Sequence, residues 1–184
     1  MSTHAEALRE RVRRLRPAPA SLPWRRTGTP SVGGLLAVGF GQNSDSLLAI
    51  SHDGRGVFDC RKGGRVARDR GKLMTDADYD AIALTAAGIG PLEGQVVRVG
   101  GLTGGALPRT THDDWSIEIV SPDWPEFTVI LQPPGCSFIP SIQAERCVRL
   151  ETLGAGEFRT AGFSSTGLSL VVATSADIDI WSRA

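Results

Sequence analysis

Ser46-Leu47-Leu48-Ala49-Ile50-Ser51-His52-Asp53-Gly54-Arg55-Gly56-Val57-Phe58-Asp59-Cys60 decides how this chain is read. Leu47 to Ile50 is an apolar run, and Asp53-Gly54 follows as a hairpin turn, because a type I′ turn needs positive φ at both central positions. Val57-Phe58-Asp59-Cys60 then returns as the partner strand. Outward from this hairpin the period is extended from Leu35, Gly63-Gly64 makes a second turn, and Arg65-Val66-Ala67 supplies another strand. The segment from about residue 35 to 68 therefore predicts a β-meander.

The rest of the chain fits one domain built on that pattern. Its 184 residues suit a single core, and 22 glycines with 11 prolines suit many turns between short strands. Cys60, Cys136 and Cys147 are an odd number at scattered spacings. They match neither a secreted disulfide framework nor a paired metal motif, which predicts buried thiols in a reducing compartment. No stretch approaches ~18 uninterrupted apolar residues, and Met1 to Leu15 lacks the apolar segment of a secretory signal. A cytoplasmic location without a membrane span is expected, with a mitochondrial transit peptide as the alternative for so Arg-rich a start.

Thr3 and Glu6 have capping-box spacing, and Ala5, Leu8, Val12 and Leu15 share one helical face behind them. A short amphipathic helix to about Arg16 is expected, with Arg9, Arg11, Arg13 and Arg14 on its other face. Pro17 to Pro23 ends it as a connector. The expected organisation is helix and connector over 1–23 and a single β-rich domain over 24–184. In the middle, Thr75, Asp76 and Asp78 before Ala81-Ile82-Ala83-Leu84 predict a second, short helix stopped by Gly88, although Ile82 to Thr85 also suits a strand. Strands are expected near 95–99, 115–120, 127–131, 147–150, 170–173 and 178–181.

Two segments echo each other without a gap at an offset of 123 residues: Gly39-Phe40, Ser46-Leu47 and Val57-Phe58 fall opposite Gly162-Phe163, Ser169-Leu170 and Ile180-Trp181. The second copy, from Phe163-Ser164-Ser165-Thr166-Gly167 through Asp177-Ile178-Asp179-Ile180-Trp181, resembles the strand pair of a WD40-type propeller blade, one residue short of the usual spacing. Ser121-Pro122-Asp123 is placed to begin a third copy, since the offset equals three blades of about 41 residues. The resemblance implies a small or degenerate β-propeller. The absence of a blade pattern between Arg65 and Asp114, and the need for about four blades to close a ring, favour a twisted antiparallel sheet or sandwich with a short N-terminal helix.

Formal net charge is zero by cancellation: residues 1–72 hold 14 Lys/Arg against 6 Asp/Glu, and residues 73–184 hold 6 against 14. Chemistry-bearing residues are sparse. His52 sits at the hairpin tip and His112 in a glycine-flanked loop, each followed by an aspartate, but adjacent residues on an extended chain point apart. Cys136 with His112 would be a nucleophile and base only if the fold joined them. Gly100-Gly101-Leu102-Thr103-Gly104-Gly105 lacks the Lys-Ser/Thr of a phosphate loop, and no familiar catalytic motif occurs. Asp113, Asp114, Asp123 and Glu126 lack the spacing of a cation loop. No cofactor or metal is expected.

The most binding-like stretch holds Arg109, His112, Asp113, Asp114, Trp115 and Trp124, because Trp and Arg most often anchor interfaces. The expected function is a non-enzymatic protein-interaction module, of immunity, accessory or adaptor type, that recognises a partner protein through loop 100–114 and an acidic surface. The alternatives are a nucleic-acid-associated factor using the Arg-rich first half with Arg55, Arg61, Lys62, Arg65, Arg68 and Arg70, and a hydrolase of unfamiliar type. Homo-oligomerisation, and whether the two charged halves pair within or between chains, stay open.

Overall fold

The computed structural model describes residues 4–18, 23–71 and 78–183. One helix, α1 (His4–Arg14), precedes sixteen strands: β1 (Arg16–Ala18), β2 (Arg25–Gly28), β3 (Leu35–Phe40), β4 (Ser46–Ser51), β5 (Gly54–Asp59), β6 (Gly64–Asp69), β7 (Tyr79–Asp80), β8 (Thr85–Ala87), β9 (Val96–Arg98), β10 (Gly100–Gly101), β11 (Ser116–Val120), β12 (Thr128–Gln132), β13 (Val148–Leu150), β14 (Phe158–Phe163), β15 (Ser169–Thr174) and β16 (Ile178–Ser182). The protein is mainly β, with several antiparallel sheets and, among the described residues, one α-helix near the N-terminus and no closed barrel. No helix among the described residues is long and apolar enough to cross a membrane.

The strands form a stack of four sheets. A first repeat sheet has the order β10-β3-β4-β5-β6, a second repeat sheet β14-β15-β16-β2, a helix-side sheet β1-β13-β12-β11, and a small sheet β7-β8-β9. All pairs are antiparallel except β1 with β13. The apolar runs explain the stacking, since a strand without polar alternation must be covered on both faces. On β4, Leu47 and Ala49 pack toward the second repeat sheet while Leu48 and Ile50 pack toward the small sheet. On β15, Val171 and Ala173 face the first repeat sheet, and Leu170 and Val172 face the helix-side sheet. Each fully buried Leu or Ile contributes about 1.5–3 kcal/mol.

The echo in the sequence is a structural repeat. Strands β3 and β4 coincide with β14 and β15, end for end, at the offset of 123 residues, and β5 falls on β16. Both copies bulge at the same place on their first strand, Leu35/Ala37 and Phe158/Thr160, and again at Val57/Phe58 and Ile180/Trp181. The fourth strand differs in origin. In the first copy it is the next segment, β6; in the second it is β2, from the other end of the sequence.

Gly39 and Gly162, also paired at this offset, have a common purpose. A Cβ on Gly39 would run into the Arg98 carbonyl, and one on Gly162 would lie 2.7 Å from the Pro108 carbonyl. The chain from Val97 to Pro108 crosses the edges of both first strands at backbone-contact distance, which only glycine permits.

Two segments depart from expectation. Where a helix is predicted after Thr75, residues 79–87 form the β7–β8 hairpin; Thr75 and Asp76 lie outside the described residues. Asp80 Oδ1 accepts the N–H groups of Ile82 and Ala83 at 2.8 Å each, and Leu84 adopts φ 56. Such a side-chain turn competes with helix, and Ile82, 96% exposed, had no core to reach. Pro17 and Ala18, expected within a connector, form part of β1. The expected helix forms as α1 and lays Leu8, Val12 and Leu15 on Ile130, Phe138 and Cys147, while Ala5 stays exposed and Thr3 lies outside the described residues.

Candidate functional site

The stretch Arg109–Glu126 does not come together. It is divided between the two ends of β11, a strand of about 17 Å. At the near end Trp115 is buried and meets the Trp24 ring edge-on at 6.0 Å, so it is core and offers nothing to a partner. Asp113 is held by Arg183, whose Nη1 and Nη2 donate to its two oxygens at 2.6 and 2.5 Å, while Thr111 Oγ1 donates at 2.7 Å. Arg183 also donates to the Gly167 carbonyl and lies 4.9 Å from the Trp24 ring centre. The side chains of Arg109, His112 and Asp114 are exposed and, among the described residues, make no hydrogen bond or ion pair.

The Arg183 guanidinium, followed by the Thr111 hydroxyl, holds the Asp113 carboxyl well below the usual carboxylate range. A depressed folded value means the stabilisation is present above the unfolded pKa of about 3.9 and is lost as pH falls through the lower folded value. Asp113 is largely exposed, so solvent screening limits the gain to less than about 1 kcal/mol. Arg183→Gln is expected to return the Asp113 titration to near 4 in a carbon-detected NMR titration; an unchanged midpoint would refute the assignment.

At the far end the surface is different. Trp124 is 77% exposed and meets Phe127 at 5.7 Å edge-on, and Phe127 stacks on Phe158 at 4.7 Å. This aromatic row borders a groove of about 880 Å³ between the helix-side and second repeat sheets. Val129, Leu150 and Val172 supply apolar lining, and Arg149, Glu126, Glu157 and Thr174 polar groups. Trp124 was visible in the sequence. Phe127 and Phe158 were not singled out, because 31 positions separate them and only the packing of β12 on β14 stacks their rings.

Both walls are fixed from elsewhere in the chain. Arg9 on α1 bonds Asp123 and the Pro122 carbonyl, and Ser121 Oγ donates to the Glu126 carbonyl at 2.7 Å, which ties down the turn carrying Trp124. The opposite wall, residues 151–157, hangs on two aspartates of β16 and its approach. Asp179 Oδ2 accepts the N–H groups of Leu153 and Gly154 at 2.9 and 3.0 Å, and Asp177 Oδ2 accepts that of Ala155 at 2.9 Å. Asp179 is only 1% exposed; Thr29 Oγ1 donates to its Oδ1 at 2.7 Å and Arg26 lies 3.6 Å from it. Arg9 with Asp123, Arg26 with Asp179 and Arg55 with Asp78 thus join the basic first part of the sequence to the acidic second part within one chain.

Among the described residues the candidate pair Cys136 and His112 is not brought together. The Cys136 thiol lies beneath α1, 3.7 Å from the Pro134 carbonyl, with no hydrogen bond to His112. Burial pushes the Cys60 thiol far up and that of Cys147 up to about 11, which keeps both protonated and poorly nucleophilic. Residues 100–105 fold back as a small hairpin on β3, with Gly101 N–H bonded to the Gly104 carbonyl at 2.8 Å. Among the described residues no group of three or more His, Cys, Asp or Glu is placed to hold a metal ion.

No protein-family model, curated protein or solved structure matches the chain.

Proposed function

We propose that the protein is a non-enzymatic protein-interaction module, and that its partner docks on the aromatic row Trp124–Phe127–Phe158 and the groove beside it. The observation that carries this reading is the exposure of Trp124 on a turn tethered at both ends. A large, rigid, amphipathic side chain held in the open loses little entropy on binding and is the type that dominates interface energetics. Arg149, Glu126 and Glu157 give the groove a mixed polar rim, as interfaces have. The reading moves the binding surface from loop 100–114 to the other end of β11, because Trp115 and Asp113 are already engaged. It also carries the blade resemblance: the shared strand bounds and bulges support reading the two repeat sheets as blade-like units.

The test is affinity capture from native extract, with nuclease treatment in a parallel arm and the Trp124→Ala, Phe127→Ser double variant as the matched control. A stoichiometric protein that survives nuclease and falls at least ~10-fold with the variant, equivalent to about 1.4 kcal/mol, is expected. Equal capture by the variant would remove the groove from the reading.

A second reading, of a nucleic-acid-associated factor, draws on β6 and its flanking turns, where Arg61, Lys62, Arg65, Arg68 and Arg70 are all exposed along one outer edge. The arginines of α1 support it less, since Arg9 and Arg11 bond to the helix-side sheet and its loops and Arg14 bonds to Glu10. Retained nucleic acid that elutes with salt in the untreated arm would favour it.

A further inference from the structure

We propose that the first repeat sheet carries a binding slot for a carboxylate brought from outside the chain, in the position that Asp179 fills in the second repeat sheet. The inference rests on comparing the two repeats residue by residue. At the offset of 123, Gly54 and Gly56 stand where Asp177 and Asp179 stand. Opposite them, β6 takes the place of β2. Arg65 faces Phe58 as Arg26 faces Trp181, and Arg68 faces Gly56. The connector before β3 corresponds to the loop that wraps Asp179, with Ser31 at the position of Gly154. One donor is missing, because Pro30 replaces Leu153 and has no N–H.

These residues enclose a slot of about 110 Å³, lined by Ser31, Ser51, Gly54, Gly56, Arg65 and Arg68 among others. That is room for a carboxylate and the few carbons that bear it. The slot exists because Gly56 projects nothing into it, whereas Gly54 serves the turn: its φ is 106 and a Cβ there would strike the Asp69 carbonyl outside the slot. A Cβ on Gly56 would meet Arg65 Cδ at 3.6 Å and Phe58 Cε2 at 3.7 Å, ordinary contact distances, so the position accepts a side chain without strain. The charge balance is that of an anion site. Arg65 and Arg68 have no carboxylate partner among the described residues, Arg55 is engaged by Asp69 and Asp78, and Asp53 at the rim is the one acidic lining residue. A planar guanidinium fork matches a carboxylate with two parallel hydrogen bonds, and the second repeat shows this chain placing an arginine against a carboxylate at the same register.

A carboxylate here comes either from an acidic side chain or chain terminus of another protein, or from a small free acid. Both are tested by NMR titration of the intact chain at constant ionic strength, with acetate, with an acetyl-aspartyl-amide peptide, and with neutral acetamide and chloride as controls. Acetate is expected to shift the Ser31, Gly54 and Gly56 amides and the Arg65 Nε–H saturably, with Kd on the order of 1–10 mM. Acetamide and chloride are expected to leave them in place. Arg65→Gln, on an exposed edge strand, should weaken binding about 10-fold, and Gly56→Asp should abolish it by supplying the carboxylate from within. A peptide about 10-fold tighter than acetate assigns the slot to a protein-borne acid, and equal affinity assigns it to a small one. Absence of saturable shifts with both probes, or shifts unchanged in Gly56→Asp, overturns the proposal. The slot lies on a different sheet from the aromatic groove, so either result leaves the docking proposal to its own test.

Discussion

Asp179→Ala is expected to be among the most destabilising single substitutions in this protein, costing about 3–5 kcal/mol because it removes a buried carboxylate and leaves two backbone amides and the half-buried Arg26 without their shared acceptor. The side chain is a junction. It accepts the Leu153 and Gly154 amides and the Thr29 hydroxyl and faces Arg26, so one carboxylate joins the groove wall, the segment after β2 and the outer edge of the second repeat sheet. In a domain of this length a loss of that size lowers Tm by about 10 °C or more. Calorimetry reads the stability, and amide exchange at Leu153 and Gly154 reads the wall. Asp179→Asn, which keeps one acceptor oxygen but not the charge, should fall between the two. A Tm within about 2 °C of the parent for Asp179→Ala would show that the buried pair contributes no net stabilisation.

Gly39→Ala is expected to be nearly as costly, for a steric reason. The added methyl would overlap the Arg98 carbonyl and lie 2.8 and 2.9 Å from Val97 Cγ1 and Val99 Cγ1. Backbone on both sides cannot retreat as a flexible side chain would, so a loss of about 3 kcal/mol is expected. Gly64→Ala is the control. No atom lies within 4 Å of its added Cβ and its φ is not in the left-handed region, so it should be neutral or stabilising by up to about 1 kcal/mol. Denaturant midpoints compared at equal m-values decide the matter. Equal midpoints for Gly39→Ala and Gly64→Ala would mean that the crossing chain is not held against β3.

The fold was legible wherever burial is two-sided or alternating. Leu47–Ile50 and Leu170–Ala173 announced strands because they sit between sheets and tolerate no polar face, and Asp53-Gly54 marked the turn between β4 and β5, although it is not type I′: the turn centres on His52-Asp53 and Gly54 alone has a positive φ, 106. Of the strands missed, β14 and the two-residue β10 among them, two have a sequence that argues against them: β1 contains Pro17, and β2 reads Arg-Arg-Thr-Gly. Each is an edge strand recruited by register with a distant partner, and local propensity carries no trace of that. The misread helix near Ile82 shows the converse. Its acids and apolar residues have helical spacing, but Asp80 spends its side chain on a turn.

The site was less legible. Trp124 stood out by residue type, but nothing local separated it from Trp115, which is core. Exposure depends on which end of β11 each occupies, a tertiary fact. The carboxylate slot was harder still, since it is made by the side chain that Gly56 lacks. The ungapped echo did align them with Asp177 and Asp179, but the alignment acquires meaning only once strand pairing sets Arg65 beside one pair and Arg26 beside the other.

The pairing of β2 with β16 sets an order of events during folding. Strands β3 to β6 of the first repeat sheet follow one another in the sequence and are free to form early, with β10 added to their edge. The second waits for two pieces that are 157 positions apart at Arg25 and Ser182 to find each other. Closing so long a loop adds only a few kcal/mol of entropy beyond a short one, because the cost grows with the logarithm of length, but it makes the pairing a late, non-local step. Until then Trp181 and Ile180 lie along an unpaired strand edge. At high concentration the same edge is open to the equivalent strand of a neighbouring chain, so refolding from dense solution should yield exchanged dimers that dilute refolding does not.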